Sequence, residues 1–289
     1  MIYTISKKID IEGIGIHTGK RVKITLSPYD EVGVYLSLPS KNPKSKQIIR
    51  ITSQNYKKSS RTSSIILSSG QITCPEHLFA SLALTNVRAI LIELPGPCEL
   101  PVAPFSGESF YEIIMNSGLR PISKVQDGGQ NSWNRFKLEL IEDHRSYTIE
   151  PASSFNCQVN MTEGTDIHGV VDLCYEDLES SKAFVMQIAR ARTWVKESAI
   201  KNLQNEGLCK GIDEKWCQIV TPSMLQKREI ALECTYHKLY DLLGDLFLVG
   251  YWPEVRIVSF NPNHRLNVAL LHLFENIRKP NPKVSLKSG

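Results

Sequence analysis

A histidine and two aspartates recur at four-residue intervals in the stretch HKLYDLLGDLFLVG, which begins at His237. His237, Asp241 and Asp245 would lie on one face of an α-helix, because residues four apart are neighbours there. The leucines of the same stretch cluster on the opposite face and suit a core. Gly244 costs this helix about 1 kcal/mol relative to alanine, which predicts that another part of the chain approaches its backbone closely. The stretch is either a metal-binding helix or an ordinary amphipathic helix with a polar face.

A glutamate and a histidine begin a second predicted helix, in the stretch TCPEHLFASLALT. Pro75 is favoured at the start of a helix and places Glu76 and His77 in the first turn, where the helix dipole favours an ionised carboxylate. A histidine nitrogen can bind a catalytic metal while a neighbouring carboxylate accepts a proton from water. The alternative is a glutamate that serves only the charge of the helix terminus, beside a partly buried histidine.

Together the two segments offer two histidines and one carboxylate: His77, His237 and Asp241. This is a sensible set of three ligands for Zn2+, and it leaves the fourth position open to water or substrate, as in catalytic sites. Glu76 would then be the general base. Imidazole and carboxylate ligands also accept Fe2+, so the ligand types alone do not decide between the two metals.

The composition indicates a globular protein and argues against several classes. Of the 289 residues, 42% are hydrophobic and 22% are charged, which is ordinary for a soluble domain. The net charge of +4 suits an anionic small-molecule substrate, but it is not the clustered basic surface of a nucleic-acid-binding protein. The longest apolar runs are too short for a transmembrane segment. Seven scattered cysteines without a CxxC pair indicate a reducing compartment, so we expect a cytoplasmic protein.

The predicted elements occur twice in the same order along the chain. Alternating strands such as RVKITLSP (Arg21–Pro28) precede a helix, a further strand and a second helix, and this order returns after the polar stretch KVQDGGQNS. The pattern is typical of an α/β (α+β) protein with two sandwich domains related by duplication. We predict an N-terminal domain over residues 1–123, a linker over 124–132 and a C-terminal domain over 133–289.

Six stretches resemble, in order and spacing, the zinc-dependent UDP-3-O-acyl-N-acetylglucosamine deacetylases of lipid A biosynthesis. They are GIGIHTGKRVKITLSP, CPEHLFASLA, QIARARTW, NLQNEGLCKG, HKLYDLLGDLFLVG and NHRLN. Together they extend from Gly13 to about Phe274. The resemblance implies two β-α-α-β sandwich domains with the active site between them.

The resemblance also implies roles for individual residues. Three of them match the zinc ligands of the family: His77, His237 and Asp241. Glu76 matches the general base, and His264 matches the histidine that stabilises the developing oxyanion and protonates the leaving amine. Asp245 matches the carboxylate that orients this histidine, and Thr193 matches a threonine beside the reacting carbonyl.

Other residues match positions at which the family binds its substrate. His17 and Lys238 correspond to residues near the nucleotide sugar, where cations suit a diphosphate. Trp194 stands at the predicted pocket mouth, where the family commonly has phenylalanine. The stretch WVKESAIKNLQNEGLCK is amphipathic as far as Gly207 and matches an insertion, near residues 194–210, that lines a hydrophobic passage for the acyl chain.

The chain departs from the family pattern at two further places. The family usually carries an MDGS-like turn where this chain has ELPVAPFSGES (Glu99–Ser109), so that Pro104 or a neighbour replaces an aspartate. Asn263 replaces the glycine that usually precedes the acid histidine. Both changes predict local differences in how the backbone is held near the site.

The implied reaction is hydrolysis of the acetamide of a UDP-3-O-acyl-N-acetylglucosamine with release of acetate, by a protein that we expect to be a monomer. One alternative is a zinc amidase that acts on another N-acylated sugar, because the altered turn and Trp194 would border the pocket. A second alternative is a non-catalytic binding homologue. The presence of both Glu76 and His264 argues against it, because a protein that only binds has no use for this pair.

Overall fold

The computed structural model describes residues 1–40, 45–59, 61–123, 137–162 and 168–278. The strands before residue 124 are β1 (Ile2–Ile5), β2 (Ile9–Ile14), β3 (Arg21–Pro28), β4 (Gly33–Pro39), β5 (Lys46–Ile51), β6 (Tyr56–Lys58), β7 (Ser63–Leu67), β8 (Gly70–Thr73), β9 (Ala89–Glu93) and β10 (Leu119–Ser123). The helices of this half are α1 (Glu76–Leu84) and α2 (Phe110–Asn116).

The second half contains the remaining elements. Its strands are β11 (Leu138–Glu142), β12 (Arg145–Pro151), β13 (Asn156–Met161), β14 (Gly169–Cys174), β15 (Thr193–Lys196), β16 (Cys217–Val220) and β17 (Val255–Phe260). Its helices are α3 (Asp177–Ser180), α4 (Lys182–Ala189), α5 (Glu197–Asn205), α6 (Pro222–Leu225), α7 (Arg228–Leu246) and α8 (His264–Arg278). The predicted linker, residues 124–132, lies outside the described residues, so the boundary between the two predicted domains stays a prediction.

The N-terminal half is built on a five-stranded sheet in the order β2-β3-β9-β4-β5. Neighbouring strands are antiparallel except β4 and β9, which are parallel. In β3 the apolar residues Val22, Ile24 and Leu26 are buried while the residues between them are more exposed, as expected for a strand with one face on the core. The sequence alternation in RVKITLSP therefore fixes which face of the sheet carries the helices.

The C-terminal half repeats this topology with a sheet in the order β11-β12-β17-β13-β14. Its strands are also antiparallel to their neighbours except for one parallel pair, β13 and β17. In both sheets the last strand along the chain lies in the centre, next to the second and third strands. The repeated strand order confirms the predicted α/β (α+β) fold class.

The helices of the two halves take equivalent places and pack on one another. Helices α1 and α7 each precede the central strand of their sheet, and α2 and α8 each follow it. Helix α1 lies against α7, with a 2.6 Å hydrogen bond between the hydroxyls of Ser81 and Tyr240 and with Phe79 packed against Phe247. Buried residues of both halves form one continuous core. None of the helices in the described ranges is long and apolar enough to cross a bilayer.

The segment that matches the predicted insertion differs in one detail from its sequence pattern. Residues Thr193–Lys196 form the strand β15, which pairs in parallel with β16, and the helix begins only at Glu197. Trp194 and Val195 thus lie on a strand because the chain pairs with β16 there, a long-range contact that helical periodicity does not show. Helix α5 ends before Gly207, whose φ of +83° favours glycine.

Candidate metal centre and active site

Two histidines and an aspartate from α1 and α7 meet in the interior of the protein. The Nε2 atoms of His77 and His237 lie 3.5 and 3.3 Å from the same oxygen, Oδ1 of Asp241. One ligand atom from each of the three residues lies within 4.8 Å of the other two, and all three side chains are buried. The predicted ligands are therefore close enough to share one ion.

The Nδ1 atoms of both imidazoles, which face away from Asp241, are hydrogen-bonded to backbone carbonyls. His77 Nδ1 lies 3.0 Å from the Val102 oxygen, and His237 Nδ1 lies 3.1 Å from the Ala191 oxygen. Because a carbonyl can only accept, Nδ1 carries the proton in each ring and Nε2 keeps its lone pair, as in metal-binding histidines. Asp241 Oδ1 is buried and has no hydrogen-bond donor among the described residues. Since a buried unpaired acceptor is costly, these atoms fit a cation.

The electrostatics of the three side chains favour the same interpretation. Burial lowers the pKa of His237 to about 3, which keeps this ring neutral. Burial also opposes a charge on His77, but the adjacent Asp241 carboxylate outweighs it and raises the pKa of His77. Burial opposes the ionised form of Asp241 as well, but the charges of Lys238 and His264 hold its pKa well below its usual range. The site thus presents an anion that attracts positive charge.

Gly244 brings α7 into direct contact with the start of α1. A Cβ atom at this position would lie only 2.0 Å from the backbone oxygen of Glu76 and 2.7 Å from its carbonyl carbon. This confirms the close approach predicted from the mid-helix glycine. The contact places the first turn of α1, with Glu76 and His77, beside the polar face of α7.

Glu76 lies beside the three ligand residues with one of its oxygens unpaired. Thr62 donates a 2.6 Å hydrogen bond to Glu76 Oε1, whereas Oε2 is buried and has no hydrogen-bond partner among the described residues. Burial raises the pKa of Glu76, although the nearby His264 opposes this shift. A carboxylate with a raised pKa and an unpaired oxygen is suited to accept a proton.

His264 faces the same centre from the start of α8. Its Nε2 lies 3.9 Å from Glu76 Oε1 and 3.8 Å from Asp241 Oδ2. Burial opposes its charged form, but the carboxylates of Asp245, Asp241 and Glu76 outweigh burial and raise the pKa of His264 to about 9. The imidazolium form therefore persists at neutral pH.

Asp245 holds His264 in place through a network of hydrogen bonds. Its Oδ2 accepts from His264 Nδ1 and from Asn267 Nδ2, both at 2.8 Å. Its Oδ1 accepts from the Tyr56 hydroxyl at 2.8 Å and from the Ser63 hydroxyl at 2.6 Å. With four donors, this fully buried carboxylate has one orientation, and it fixes the ring of His264 with it.

A cavity of about 470 Å3 adjoins these groups. Every residue with a predicted role lines it except Asp245, which lies behind His264. Thr193, Trp194, Lys238 and His17 are among the lining residues. The lining also includes apolar residues of both halves, namely Ile16, Val102, Val195, Ala199, Leu203 and Ile212.

Known proteins resemble this chain over nearly its whole length. A model of the UDP-3-O-acyl N-acetylglycosamine deacetylase family matches residues 3–275. The chain belongs to this family. A UDP-3-O-acyl-N-acetylglucosamine deacetylase from Anaeromyxobacter sp. (strain Fw109-5) is 26% identical to it, in a match that covers 93% of this chain and 86% of the relative. The deacetylase family inferred from the six sequence stretches is thereby confirmed.

The residues matched to substrate-binding positions of the deacetylase family lie at different distances from the predicted metal ligands. Lys238 Nζ lies 3.1 Å from Asp241 Oδ2 and 6.0 Å from the centre of the Trp194 ring. His17 lies beside Cys209 of the predicted insertion, at 3.9 Å between Nδ1 and Sγ, and burial lowers its pKa. Thr193 and Trp194 are adjacent on β15. Lys238 therefore contacts the predicted ligand Asp241, whereas His17 contacts Cys209 elsewhere in the cavity lining.

The two departures from the family pattern have a structural role in this chain. The side-chain oxygen of Asn263 accepts a 2.8 Å hydrogen bond from the backbone N–H of Leu266 and so caps the first turn of α8. Its amide also donates to Glu142. Within the Glu99–Ser109 segment, Val102 supplies the carbonyl that holds His77. Both segments thus position groups at the centre despite their changed sequences.

Sequence reasoning missed several residues that hold the acid and base groups. Thr62 contacts Glu76, while Tyr56 and Ser63 contact Asp245. Tyr56 lies on β6, Ser63 on β7 and Thr62 directly before β7. No spacing in the sequence links Tyr56 or Ser63 to residues near position 245. Arg61 and Arg145 also line the cavity. Only Asn267 lay within a stretch that the resemblance had singled out, NHRLN.

Proposed function

We propose that this protein hydrolyses the acetamide of a UDP-3-O-acyl-N-acetylglucosamine and releases acetate, as a zinc-dependent deacetylase of lipid A biosynthesis. Family membership supports the reaction class. The observation that carries the proposal is the convergence of three buried ligand residues with an acid–base pair, Glu76 and His264, at one cavity. We also propose that the enzyme acts in the cytoplasm as a monomer with two domains.

Zinc fits the proposed ligand set by donor type and charge. His77, His237 and Asp241 would hold it through two imidazole nitrogens and one carboxylate oxygen, which are ordinary zinc ligands. The same donors accept Fe2+, which is the second candidate. When bound, the ion supplies Lewis acidity, which polarises a carbonyl and makes water more acidic. Three protein ligands leave room for the substrate at the centre.

Glu76 and His264 would divide the proton transfers between them. The unpaired Oε2 of Glu76 accepts the proton of the attacking water, while the imidazolium of His264 stabilises the oxyanion as it develops. His264 then donates its proton to the leaving sugar amine, and acetate is released. Asp245 keeps His264 oriented and charged, and Thr193 would donate a hydrogen bond beside the reacting carbonyl.

The cavity supports an acylated nucleotide sugar as the substrate. Its lining includes the cationic side chains of Arg61, Arg145 and Lys238, whose charges suit a diphosphate. Its apolar residues, which include Ala199 and Leu203 of α5, suit a hydrocarbon chain. An N-acylated sugar without a nucleotide is the second candidate, since Trp194 changes the pocket relative to the family.

The substitution Glu76→Gln tests the proposal. It removes the base while keeping the size of the side chain, so acetate release should fall about 10²- to 10⁴-fold while metal content stays unchanged. Unimpaired turnover by this variant would show that the mechanism is wrong. Wild-type protein should be assayed on UDP-linked and non-nucleotide N-acetylated sugars in parallel. Bound metal without acetate release from either would favour the non-catalytic homologue.

A further inference from the structure

A buried glutamate outside the catalytic group holds the turn that carries His17. Glu99 is only 6% exposed. Its Oε1 accepts the backbone N–H of His17 at 2.7 Å, and its Oε2 accepts that of Thr18 at 2.8 Å. The turn over residues 15–19 is closed by a 2.9 Å hydrogen bond from the Gly19 N–H to the Gly15 oxygen. One carboxylate thus satisfies two successive backbone donors of a partly buried turn.

The contact between this turn and Glu99 leaves no space for a side chain at Gly15. A Cβ atom there would lie 2.3 Å from Glu99 Oε2 and 2.6 Å from the Thr18 hydroxyl. Glu99 itself is fixed by its own backbone, because the neighbouring Leu100 N–H donates to the Thr73 oxygen at 2.9 Å. The carboxylate is therefore a rigid support rather than a surface group that happens to touch the turn.

The other side of the same turn is bound by the insertion of the C-terminal half. The backbone N–H of Lys210 donates to the His17 oxygen at 3.1 Å, and that of Gly211 donates to the Ile16 oxygen at 3.0 Å. A Cβ atom at Gly211 would lie 2.3 Å from the Gly15 oxygen. The turn is thus clamped between Glu99 and the insertion, and both Ile16 and His17 line the cavity.

Glu99, His17 and Cys74 also lie close enough together to hold a metal ion, but their contacts argue against one. Both Glu99 oxygens already accept backbone N–H groups, and the Cys74 thiol donates to Oε1 at 3.4 Å. This group lacks the unpaired buried acceptor that Asp241 presents. Its hydrogen bonds are satisfied without an ion.

We propose that Glu99 is a positioning residue, which clamps the turn over residues 15–19 against the insertion and thereby fixes the wall of the acyl passage. It would act on the affinity for the acyl chain through the apolar lining residue Ile16 and the clamped insertion, not on the reacting atoms. The proposal rests on the proposed function for the nature of the ligand. Glu99→Gln is the informative variant, because the amide has the same size but turns one acceptor into a donor, which faces a backbone N–H.

Binding measurements by calorimetry separate this role from catalysis. The ligand is a 3-O-acylated UDP-glucosamine, the expected product, so binding can be measured whether or not the protein turns over. In Glu99→Gln its Kd should rise about tenfold, the size expected when one buried N–H loses its partner. The Kd of UDP-glucosamine without the acyl chain should rise less than about threefold, and kcat and metal content should change little. Equal effects on both ligands, or none, would overturn the proposal.

Hydrogen exchange in the free protein tests the clamp independently of any ligand. In Glu99→Gln, amide exchange should become at least about tenfold faster in peptides covering residues 13–20 and also in those covering 207–213. The matched control is Glu112→Gln, because the Glu112 carboxylate also accepts hydrogen bonds, from the backbone N–H and the hydroxyl of Ser109, but lies on α2, outside the cavity lining. It should change neither Kd nor exchange in these peptides.

Three outcomes remain distinct. Unchanged exchange at residues 207–213 in Glu99→Gln would refute the coupling of the turn to the insertion. Wild-type protein that binds the acylated ligand but never releases acetate would refute the proposed function alone. Wild-type protein that binds neither ligand would refute both proposals.

Discussion

At the scale of single residues, Asp245 keeps the proposed acid, His264, in its charged form. Its carboxylate is the strongest of the interactions that raise the pKa of His264 to about 9 against the effect of burial. His264 must be protonated to donate its proton, so activity should be lost as the pH rises through this value. Activity should also be lost at low pH, because Glu76 is then protonated and cannot act as the base. The pH–rate profile should therefore be bell-shaped.

The variant Asp245→Asn should move the basic limb of that profile to lower pH. The amide keeps the shape of the side chain but removes its charge, so the pKa of His264 falls and the imidazolium is lost earlier. The measurement is kcat between about pH 6 and 10. Tyr56→Phe is the control, because it removes a neutral donor and leaves the charge of Asp245 in place. A basic limb that moves down equally in both variants would contradict the assignment.

Gly244 offers a second test at the residue scale. In an exposed helix, Gly→Ala would stabilise by about 1 kcal/mol. Here the added Cβ would lie 2.0 Å from the Glu76 oxygen, and overpacking of this kind costs about 1–3 kcal/mol. We expect Gly244→Ala to lower both the free energy of unfolding in urea and the turnover, because Glu76 must shift. A variant more stable than wild type would contradict the contact between α1 and α7.

At the scale of secondary-structure elements, helix α5 forms one wall of the proposed passage for the acyl chain. Ala199 and Leu203 lie one turn apart and both line the cavity, whereas Lys201 on the same helix is exposed. Ala199→Phe should narrow the passage and raise the KM for a long-chain substrate about tenfold, since the lost burial of about two methylenes has this size. A short-chain substrate should be affected much less.

Lys201→Phe is the matched control for this helix. It adds the same aromatic side chain on the exposed side, so chain-length dependence should stay as in the wild type. Equal loss for long and short chains in Ala199→Phe would show that α5 does not line the acyl passage.

At the scale of the whole molecule, an ion pair between α2 and the residue that follows α4 links the two halves. Arg190 bonds to Glu112, and this contact lowers the pKa of Glu112 from 4.5 to about 2. Because the folded-state pKa is depressed, the pair stabilises the protein above about pH 4.5, and this stability is lost as the pH falls towards 2.

Glu112→Gln should therefore unfold more easily than wild type at pH 6, by a modest amount because Arg190 is largely exposed. The difference in free energy of unfolding between the two proteins should shrink between pH 6 and pH 3. Urea titrations at both pH values measure it. A difference that does not change with pH would mean that the ionised Glu112 contributes nothing to the fold.

The sequence predicts the parts of this molecule that depend on local pattern. Alternation located β3, and the cost of glycine in a helix located the contact at Gly244. The convergence of His77 with His237 needed the resemblance to the family, because nothing in their spacing of 160 residues specifies proximity. The strand at Trp194 was not predicted, because its pairing partner β16 lies more than 20 residues away.

The residues that hydrogen-bond to the proposed acid and base groups could not be predicted from the sequence either. Tyr56 and Ser63 reach Asp245 from the other half of the chain, so only the packing of the two halves shows their role. The same holds for Glu99, whose carboxylate binds backbone groups of a turn more than 80 residues away. Long-range hydrogen bonds to backbone atoms leave no pattern of residue types.

Anomalous X-ray diffraction from crystals of the purified protein, recorded at the zinc and iron absorption edges, tests the central claim most directly. We predict one strong zinc peak about 2.0–2.2 Å from His77 Nε2, His237 Nε2 and an Asp241 oxygen. A peak at the iron edge alone would show that the bound metal is iron and would leave the proposed ligands unchanged. A metal peak elsewhere, with the two imidazoles beyond bonding distance of a common ion, or no peak in metal-supplemented protein, would contradict the account.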